Sequence, residues 1–386
     1  MKFLVIGAGK QGSACALDLL QQPQVTKVIL ADKAVDRLPA SLATFKSDAR
    51  LELLKLDLND EAAVRRAMAG VQSVLSAAPY YFNEPLAKLA IAAGAHFADL
   101  GGNTEIVFQQ KQLEAAAVAK GVSVVPDCGL APGMVNILAG EGIRRLDTVS
   151  KVKIYVGGLP QHPEPPLNYM VVYSLEGALD YYTTPSWVLR DGKRAQVDAL
   201  SELEDVAFPA PVGTLEAFHT GGGISTMPFA WEGKIPVMEY KTLRYPGHAA
   251  IMRPIRDMGL LDNTPIEMNG GGHKISPRQA FIAAVSPKLT KPQGRDLVAL
   301  RVDVTGTKGG KAAGWRWQMV DRYDESRHVT AMMRTTGYSL AITGLMQVDG
   351  RVKLKGVHTP DECMPANEYV AELARRGVMI HESAIQ

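Results

Sequence analysis

The sequence contains few of the residues that mark several large classes of protein. Only three of its 386 residues are cysteine, and aromatic residues make up 6%. Cys15, Cys128 and Cys363 are isolated, so they match neither a disulfide framework nor a set of metal ligands. No apolar run approaches the ~20 residues that span a bilayer. The formal net charge is only +2, which argues against a protein that coats nucleic acid.

What the sequence does contain is a large apolar fraction in a long chain. Hydrophobic residues make up 46%, which excludes low-complexity disorder, and a length of 386 residues favours two domains over one. Residues 1–12 are apolar but run directly into glycines without a charged leader or a cleavage site, so they predict a buried strand and no signal peptide. Together with the isolated cysteines, these features predict a soluble cytoplasmic protein with reduced thiols.

The first 130 residues alternate between short β-branched runs and helical stretches rich in Ala and Leu. Apolar strands that alternate with helices favour an α/β fold with a Rossmann-type doubly wound parallel sheet. The predicted strands are Lys2–Ile6, Lys27–Ala31, Leu51–Leu56, Ser73–Ala77, His96–Asp99 and Val122–Val125, and the predicted helices are Gln11–Gln21, Asp60–Ala69, Glu84–Ala93 and Thr104–Lys120.

After residue 126 the pattern changes. Val149–Val156 and Leu297–Thr305 alternate apolar and polar residues, which predicts a mainly antiparallel sheet in an α+β domain. The connection Gly157–Pro166 predicts a long loop that can act as a dimer arm. Helical patterns return at Gly337–Leu345 and Asn367–Arg376, with loop between them around Pro360 and Pro365. We therefore predict a discontinuous NAD-binding domain (1–130 and 335–386), a substrate-binding and dimerisation domain (131–334), and a homodimer or higher homo-oligomer.

The most specific motif is the glycine-rich segment Gly7-Ala8-Gly9-Lys10-Gln11-Gly12. It follows a predicted strand and opens a predicted helix, and this is the context in which such glycines bind a dinucleotide. Gly7 permits the tight turn, Gly9 lets the pyrophosphate approach, and Gly12 lets the helix pack on the strand. Amides at the helix N-terminus, including those of Lys10 and Gln11, can then hold the phosphates.

Asp32 decides which dinucleotide is expected. It ends the second strand, twenty residues past Gly12, where a carboxylate binds the ribose hydroxyls and repels a 2′-phosphate. NAD is therefore favoured over NADP, although Lys33 and Arg37 are cations that can accept the extra phosphate. Two further groups at strand ends are predicted to contact the cofactor: Asp57 and Leu58 near the adenine, and Ser76, Ala77 and Ala78 near the nicotinamide ribose. Asp57 can alternatively cap the helix that follows it.

Ligands of a doubly wound sheet bind beyond the carboxyl ends of its strands. Three segments follow predicted strands there and combine glycine with polar groups: Tyr80-Tyr81, Asp99–Asn103 and Asp127–Met134. With the opening glycine motif, His96–Gly102, Asp127–Met134 and Lys241–Gly247, the sequence resembles the saccharopine dehydrogenase family, and most of all its lysine 6-dehydrogenase members. The segment Gly129-Leu130-Ala131-Pro132-Gly133 carries the most specific part of this likeness.

The resemblance implies oxidation of the ε-amine of L-lysine by NAD, with release of ammonia and cyclisation of the 6-semialdehyde. Other members implied by the resemblance reduce an imine, as saccharopine and carboxyspermidine-type dehydrogenases do, generally with NADPH. The predicted NAD preference and the small number of candidate cations favour lysine oxidation. A member of a different class, a non-catalytic dinucleotide-sensing regulator, stays open as an alternative.

Lysine oxidation needs a fork of donors for the substrate carboxylate and a general base. Arg244, flanked by tyrosines on a predicted strand, is the expected carboxylate binder, and Tyr80, Tyr245 and Cys128 are further candidates for contact with substrate. Asp99 is the preferred base, with Asp127 and His219 as other catalytic candidates. Both aspartates can instead cap helices, and a lone buried cysteine is usually inert.

The histidines offer two possible proton relays. His219 precedes a flexible run of glycines, and His248 lies just beyond Arg244. No HExxH or CxxC motif is present, so we expect no bound metal. The GxxxxGK[ST] motif of a P-loop is also absent. Basic residues are scattered, which argues against a nucleic-acid partner. We expect no membrane partner either, and the predicted ligand is a small amino-acid substrate.

Overall fold

A computed structural model of the chain describes residues 1–35, 40–45, 47–267, 272 and 274–385. Arg37, named above as a possible phosphate binder, lies outside these residues. The strands are β1 Lys2–Ile6, β2 Lys27–Asp32, β3 Leu51–Lys55, β4 Ser73–Ser76, β5 His96–Asp99, β6 Ser123–Val125, β7 Thr148–Pro160, β8 Ser186–Arg190, β9 Lys193–Val197, β10 Glu204–Ala207, β11 Thr214–His219, β12 Val237–Arg244, β13 Ile266–Glu267, β14 Lys274–Ile275, β15 Asp296–Lys308, β16 Lys311–Arg322, β17 Gly356–Val357 and β18 His381–Ile385. The helices are α1 Lys10–Leu20, α2 Glu61–Met68, α3 Asn83–Ala92, α4 Thr104–Lys111, α5 Glu114–Lys120, α6 Met134–Arg145, α7 Leu175–Thr183, α8 Met227–Ala230, α9 His248–Asp257, α10 Pro277–Leu289, α11 Ala331–Val348, α12 Pro360–Cys363 and α13 Ala366–Arg375.

The first sheet has seven parallel strands in the order β17-β6-β5-β4-β1-β2-β3. Apart from β17, this is the strand order of a doubly wound dinucleotide-binding fold. Both faces are apolar: Phe3 and Val5 point into one buried cluster, and Leu4 and Ile6 into another on the opposite face. Burial on both faces explains why these strands read as continuous apolar runs, and it confirms the predicted fold class.

For the six predicted strands of this sheet, the bounds agree with the structure to within one residue, whereas β17 was not predicted. Two helix predictions are wrong. Thr104–Lys120 is not one helix, because α4 ends at Lys111 and α5 begins at Glu114. The segment around Pro360 is not loop: Thr359 and Glu362 form a capping box that starts α12, with Pro360 in the first turn where its missing N–H costs nothing.

The second sheet is mixed and mainly antiparallel, as predicted. Its strands follow the order β10-β11-β12-β7-β15-β16-β18, and β7 runs parallel to β12. Off this path, β8 pairs with β12 and β9 pairs with β8. One face of β15 is buried under α6, where a Cβ on Gly142 would lie only 2.7 Å from Val304. The predicted loop Gly157–Pro166 begins later than expected, because β7 continues to Pro160 in register with the start of β15.

Helix α11 links the two sheets. Nearly all of its residues are buried, and Gly337 lets it approach α1 so closely that a Cβ there would lie 2.6 Å from the Ala14 side chain. The helix starts six residues earlier than predicted because Thr330 caps Met333, while the Asp296 carboxylate accepts hydrogen bonds from the amides of Ala331 and Met332 at 2.7 and 2.9 Å. These contacts bring the start of α11 to the boundary between the sheets.

The C-terminal residues contribute to both sheets. β17 pairs with β6 of the first sheet, and β18 pairs with β16 of the second. The division into a discontinuous first domain and an inserted second domain stays a prediction, as does the homodimer. Among the described residues, no helix combines the length and apolar character needed to cross a membrane.

Candidate active site

The turn between β1 and α1 has the shape that a dinucleotide needs. Gly7 has a φ of +96° and donates its amide to the carbonyl of Ala31 at 2.8 Å. A Cβ on Gly12 would overlap the carbonyl oxygen of Gly7, so the helix can approach the turn only because position 12 has no side chain. Open space faces Gly9, where a Cβ would meet nothing within 4 Å. The turn therefore leaves room for a pyrophosphate in front of the helix amides.

Asp32 lies at the far end of this turn. Its Oδ2 accepts the amide of Ala8 at 2.7 Å and its Oδ1 accepts that of Ala34 at 2.8 Å, so the carboxylate is fixed beside the glycines. The cavity in front of it is also lined by Lys33 and Asp57, which form an ion pair at 3.0 Å. The predicted cofactor residues that line this cavity are Gly7, Gly9, Asp32, Asp57, Leu58, Ala77 and Ala78.

Four predicted cofactor residues lie elsewhere. Ser76 is fully buried and donates its hydroxyl to Asn83 Oδ1 at 2.9 Å, so its side chain does not face the cavity. Lys10 is exposed at the start of α1, and Gly12 lies behind the turn. Gln11 lines a second cleft instead, and neither end of its amide has a partner among the described residues.

This second cleft lies where residues of both sheets and α11 meet. Tyr240, Thr242 and Arg244 alternate along β12 and present one face of the strand to it. The loop after β6 forms the opposite wall, and Met332 and Thr336 of α11 close one side. Its lining residues are Gln11, Leu100, Gly129, Leu130, Ala131, Pro132, Val156, Gly158, Tyr173, Tyr181, Tyr240, Thr242, Arg244, Met332 and Thr336.

Arg244 is a buried cation in this lining, with 4% of its surface exposed. Its Nε donates to the Tyr182 hydroxyl at 3.1 Å and its Nη1 to the carbonyl of Leu243 at 2.8 Å. Burial lowers the pKa of Arg244 and the surrounding tyrosines raise it, with a net upward shift, and a guanidinium stays charged in proteins. No carboxylate among the described residues lies within ion-pair distance, and Nη2 has no hydrogen-bond partner there. The cleft therefore offers an unneutralised cation to a ligand.

The tyrosines of the cleft are neutral hydroxyl groups. Burial raises the pKa values of Tyr173, Tyr181 and Tyr240 above their ordinary value. They can hydrogen-bond or stack against a ligand, but they are too weakly acidic to act as anionic bases. Sequence reasoning missed these residues, although the alternation of Tyr240, Thr242 and Arg244 along one strand was a signal that could have found one of them.

Asp127 lies just behind the wall of the cleft, two residues before Gly129. Only 2% of its surface is exposed, and neither carboxylate oxygen has a hydrogen-bond partner among the described residues. Burial raises its pKa to about 7 with a further contribution from the charge of Asp99, while the nearby Ser225 hydroxyl acts in the opposite direction. The charge of Asp127 in turn raises the pKa of Tyr181, which lines the cleft. An unpaired carboxyl group with a pKa near neutrality is suited to accept a proton.

Asp99, the preferred base in the sequence analysis, is tied to the protein on both oxygens. Oδ1 accepts the amides of Gly101 at 2.7 Å and Asp127 at 3.3 Å, and Oδ2 accepts the side-chain amide of Gln110 at 2.7 Å. Like Asp127, it is buried and outside the lining of the cleft, and burial raises its pKa to about 6, so the difference between the two aspartates lies in their hydrogen bonds. These contacts position the backbone of Asp127, and the geometry favours Asp127 over Asp99 as the base.

His219 faces away from the cleft, contrary to expectation. It pairs with Lys241 across β11 and β12, and paired residues point to the same face of a sheet, opposite to that of Tyr240 and Thr242. Its Nδ1 lies 3.2 Å from the carbonyl of Tyr240, and its Nε2 lies 3.0 Å from Glu202 Oε2. Burial lowers its pKa. Proximity to glycines in the sequence was therefore misleading, because strand alternation decides the direction of this side chain.

Three predicted substrate contacts also lie outside the lining. The Cys128 thiol is buried and donates to the carbonyl of Val125 at 3.1 Å. Tyr245 follows Arg244 directly and points to the other face of the sheet, where its hydroxyl donates to the carbonyl of Pro160 at 2.9 Å. Tyr80 is 39% exposed in a short 3₁₀ turn beside Gly102.

One group of side chains among the described residues has the composition of a metal site. Glu202, His219 and Glu239 bring ligand atoms together on the far face of the second sheet. Arg190 already bonds both carboxylates, through Nη2 at 2.8 Å to Glu202 and 2.7 Å to Glu239. The guanidinium fills the space that a metal ion would take, so the arrangement is an ion-pair network.

Comparisons with known proteins agree with this architecture. The Synechocystis carboxyaminopropylagmatine dehydrogenase is 21% identical over 416 residues, covering 99% of this chain and 97% of that protein. The saccharopine dehydrogenase [NADP(+), L-glutamate-forming] of Schizosaccharomyces pombe is 25% identical over 274 residues, covering 69% of this chain and 59% of that protein. Across three such fungal relatives the match spans between 48% and 59% of their length, so the chain spans about half the length of these relatives.

Solved structures show the same fold. Apo saccharopine dehydrogenase (L-Glu forming) from Saccharomyces cerevisiae superposes with a TM-score of 0.80 at 19% identity, covering all of both chains. The homospermidine synthase of Legionella pneumophila, solved with NAD, gives 0.68 at 10% identity, covering 100% of this chain and 91% of that one. The family model for the saccharopine dehydrogenase NADP binding domain matches residues 3–125, and that for the saccharopine dehydrogenase C-terminal domain matches residues 129–378. The chain therefore belongs to the saccharopine dehydrogenase family.

Proposed function

We propose that this protein is an NAD-dependent dehydrogenase that oxidises the ε-amine of L-lysine. The observation that carries the proposal is Arg244, a buried guanidinium that faces the cleft without a carboxylate partner among the described residues. A buried unpaired cation is costly unless a ligand neutralises it. Since arginine binds carboxylates through two parallel hydrogen bonds, an amino acid is the ligand that this group fits.

The number of cations favours lysine over a larger substrate. Arg244 is the single cationic side chain among the described residues that line the cleft. Saccharopine carries more carboxylates than lysine, and each would need a donor. The runner-up is nevertheless a dehydrogenase that acts on an amino-acid imine, because the relatives include saccharopine and carboxyaminopropylagmatine dehydrogenases.

The protein's own residues supply the remaining requirements of the reaction. NAD, when bound, accepts the hydride from the carbon that bears the ε-amine. The amine must be neutral to lose that hydride, and Asp127 is the group best suited to take its proton near neutral pH. Once Asp127 has released that proton to solvent, its carboxylate can remove a proton from the water that adds to the resulting imine, and this second proton leaves with the amine nitrogen as ammonium. Loss of ammonia leaves the 6-semialdehyde, which cyclises.

The cofactor preference rests on Asp32. Its carboxylate is fixed beside the glycine turn, where it would meet a 2′-phosphate with like charge. The Schizosaccharomyces pombe relative carries NADP(+) in its name and the matching family model is named for NADP, whereas the homospermidine synthase was solved with NAD. A preference for NAD would distinguish this chain from that fungal relative. Lys33 is held by Asp57 and is therefore already paired.

Replacing Asp32 tests the preference. In the variant Asp32→Ser, kcat/KM with NADP should rise at least tenfold and that with NAD should fall by a similar factor, because loss of a charge-assisted hydrogen bond costs about 1.5–3 kcal/mol. Lys33→Ala serves as the control, since it removes the neighbouring cation and leaves Asp32 in place. Equal efficiency of wild-type protein with NAD and NADP would contradict the argument.

The activity itself is tested by incubating the protein with NAD and L-lysine and recording the absorbance of reduced cofactor. Cadaverine, which is lysine without its carboxylate, is the matched control substrate and should have a KM at least tenfold higher. Arg244→Lys should raise the KM for lysine by about tenfold or more and leave that for cadaverine unchanged. No reduction of cofactor from neutral to alkaline pH would refute lysine oxidation. Turnover of semialdehyde with glutamate and NADPH would favour the runner-up, and tight cofactor binding without turnover a regulator.

A further inference from the structure

Behind Arg244 lies a chain of buried hydrogen bonds that the reaction itself does not use. Arg244 Nε donates to the Tyr182 hydroxyl at 3.1 Å, and that hydroxyl lies 3.0 Å from His248 Nε2. His248 Nδ1 lies 3.1 Å from the carbonyl oxygen of Leu167. Tyr182 and His248 expose only 3% and 2% of their surface, and neither lines the cleft.

The acceptor at the end of this chain determines the direction of every hydrogen bond. A carbonyl oxygen can only accept, so His248 donates through Nδ1 to Leu167 and presents the lone pair of Nε2. The Tyr182 hydroxyl then donates to His248, and its oxygen is free to accept from Arg244. Burial, with a contribution from Arg244, lowers the pKa of His248 to about 3, so the ring stays neutral and the directions hold over the working pH range.

The frame around His248 is rigid. His248 is the first residue of α9, and the Glu216 carboxylate accepts the amides on either side of it, from Gly247 at 2.9 Å and from Ala249 at 2.6 Å. The ring of Phe218 lies parallel to the imidazole, with the two planes 8° apart. Tyr169 packs edge-on against the imidazole and also lies 4.9 Å from the Arg244 guanidinium carbon.

We propose that Tyr182 and His248 are positioning residues that orient the Arg244 guanidinium so that Nη2 faces the cleft and the fork is ready for a substrate carboxylate. Neither residue touches the substrate, and both act through Arg244. An arginine with a free side chain would lose rotamer freedom on binding, whereas one held in advance does not. This inference rests on the proposed role of Arg244 as carboxylate binder, and it adds the residues that determine how tightly the substrate is held.

Steady-state kinetics test the proposal in three variants. Tyr182→Phe removes the acceptor for Arg244 Nε, and we expect KM for L-lysine to rise about tenfold with kcat changed less than twofold. His248→Phe keeps an aromatic ring between its neighbours but removes the acceptor for Tyr182, and we expect a rise of about threefold. His248→Gln retains a donor and an acceptor and should restore much of the wild-type KM. Cadaverine should show no change in any variant. An equal loss of kcat with both substrates would mean a general structural role and would overturn the proposal.

A measurement without turnover separates this inference from the proposed reaction. In protein labelled with ¹⁵N-histidine, His248 should show the Nδ1–H tautomer between pH 5 and pH 9, and Tyr182→Phe should shift its Nε2 resonance as the hydrogen bond is lost. If the protein fails to oxidise lysine but shows this signature, the proposed function is refuted and the hydrogen-bond chain from Arg244 to His248 is retained. An Nε2–H tautomer of His248, or an Nε2 resonance that Tyr182→Phe does not move, would overturn the hydrogen-bond chain whatever the substrate.

Discussion

The buried carboxylate of Asp127, beside the cleft, should lower the free energy of unfolding of the protein. Its carboxylate is buried, and neither oxygen has a partner among the described residues. The substitution Asp127→Asn keeps the size of the side chain and removes the charge. Because an unpaired buried charge is disfavoured relative to water, this substitution should abolish the base and stabilise the fold at the same time.

The size and sign of the stability effect follow from the shifted pKa. The folded protein raises the pKa of Asp127 from 3.8 to about 7, so between these values the folded chain binds a proton that the unfolded chain does not. Stability therefore falls as pH rises through this window, and it levels off above pH 7. The difference between these two pKa values corresponds to about 4 kcal/mol at pH 8 and to about 0.5 kcal/mol at pH 4.

Thermal unfolding at several pH values measures this difference. For a chain of this length an unfolding entropy of about 0.8 kcal/mol per kelvin converts 4 kcal/mol into a rise in Tm of about 5 °C. Wild type and Asp127→Asn are compared at the same scan rate, at pH 8 and again at pH 4.5, where the difference in Tm should fall to about a quarter of its value at pH 8. Asp296→Asn is the matched control: that aspartate is equally buried, but its carboxylate accepts two amides at the start of α11, so the substitution should destabilise the protein by about 1–3 kcal/mol.

Two results would refute the reasoning. If Asp127→Asn is no more stable than wild type at pH 8, the carboxylate has a partner in solution and is not an unpaired base. If the gain is the same at pH 8 and pH 4.5, the effect comes from packing and not from ionisation. The activity of the stabilised variant is measured alongside, and full activity would exclude Asp127 as the base.

Two further predictions concern the first sheet. Gly12→Ala should abolish binding of NAD, because the added methyl group would overlap the Gly7 carbonyl and force α1 away from the turn. Calorimetric titration measures the affinity for NAD, and Arg244→Lys is the control variant that should bind NAD normally. Asp99→Asn should shift the acidic limb of the kcat/KM profile to lower pH, because the charge of Asp99 raises the pKa of Asp127. Gln110 can accommodate that change by turning its amide, since its Oε1 has no partner among the described residues, and a limb that stays in place would exclude electrostatic coupling between the two aspartates.

The architecture of the first sheet could be predicted from the sequence because it depends on local patterns. The bounds of β1 and β5 follow from short apolar runs, and the glycine motif places the turn between β1 and α1. The same patterns brought Asp99 and Asp127 to neighbouring strand ends. They could not show which of the two is hydrogen-bonded, because the donor that holds Asp99 Oδ2 is Gln110, on a different element.

Side-chain direction was the main source of error in the candidate site. His219 and Tyr245 were selected because they lie near glycines or near Arg244 in the sequence, yet both point to the far face of the second sheet. The hydrogen-bond chain behind Arg244 forms only when β12, α7 and α9 pack together, and no spacing in the sequence predicts it. His248 was considered as a proton relay, but burial keeps its ring neutral, so its geometry fits an orienting role.

Several buried carboxylates elsewhere in the described chain have partners within the fold: Asp99 and Asp296 accept hydrogen bonds from amides, and two others form ion pairs with arginines. Buried Asp18 is paired with Arg376 at 2.7 Å, and Asp321 with Arg334 at 2.9 Å, so each charge is neutralised within the fold. Arg244 and Asp127 lack such partners in the part of the chain that the structure describes, and both lie at or directly behind one cleft. Unpaired buried charges oppose folding, and a fold can keep them where a ligand completes them. An amino-acid substrate supplies both missing complements: its carboxylate can pair with Arg244, and its amine can give a proton to Asp127.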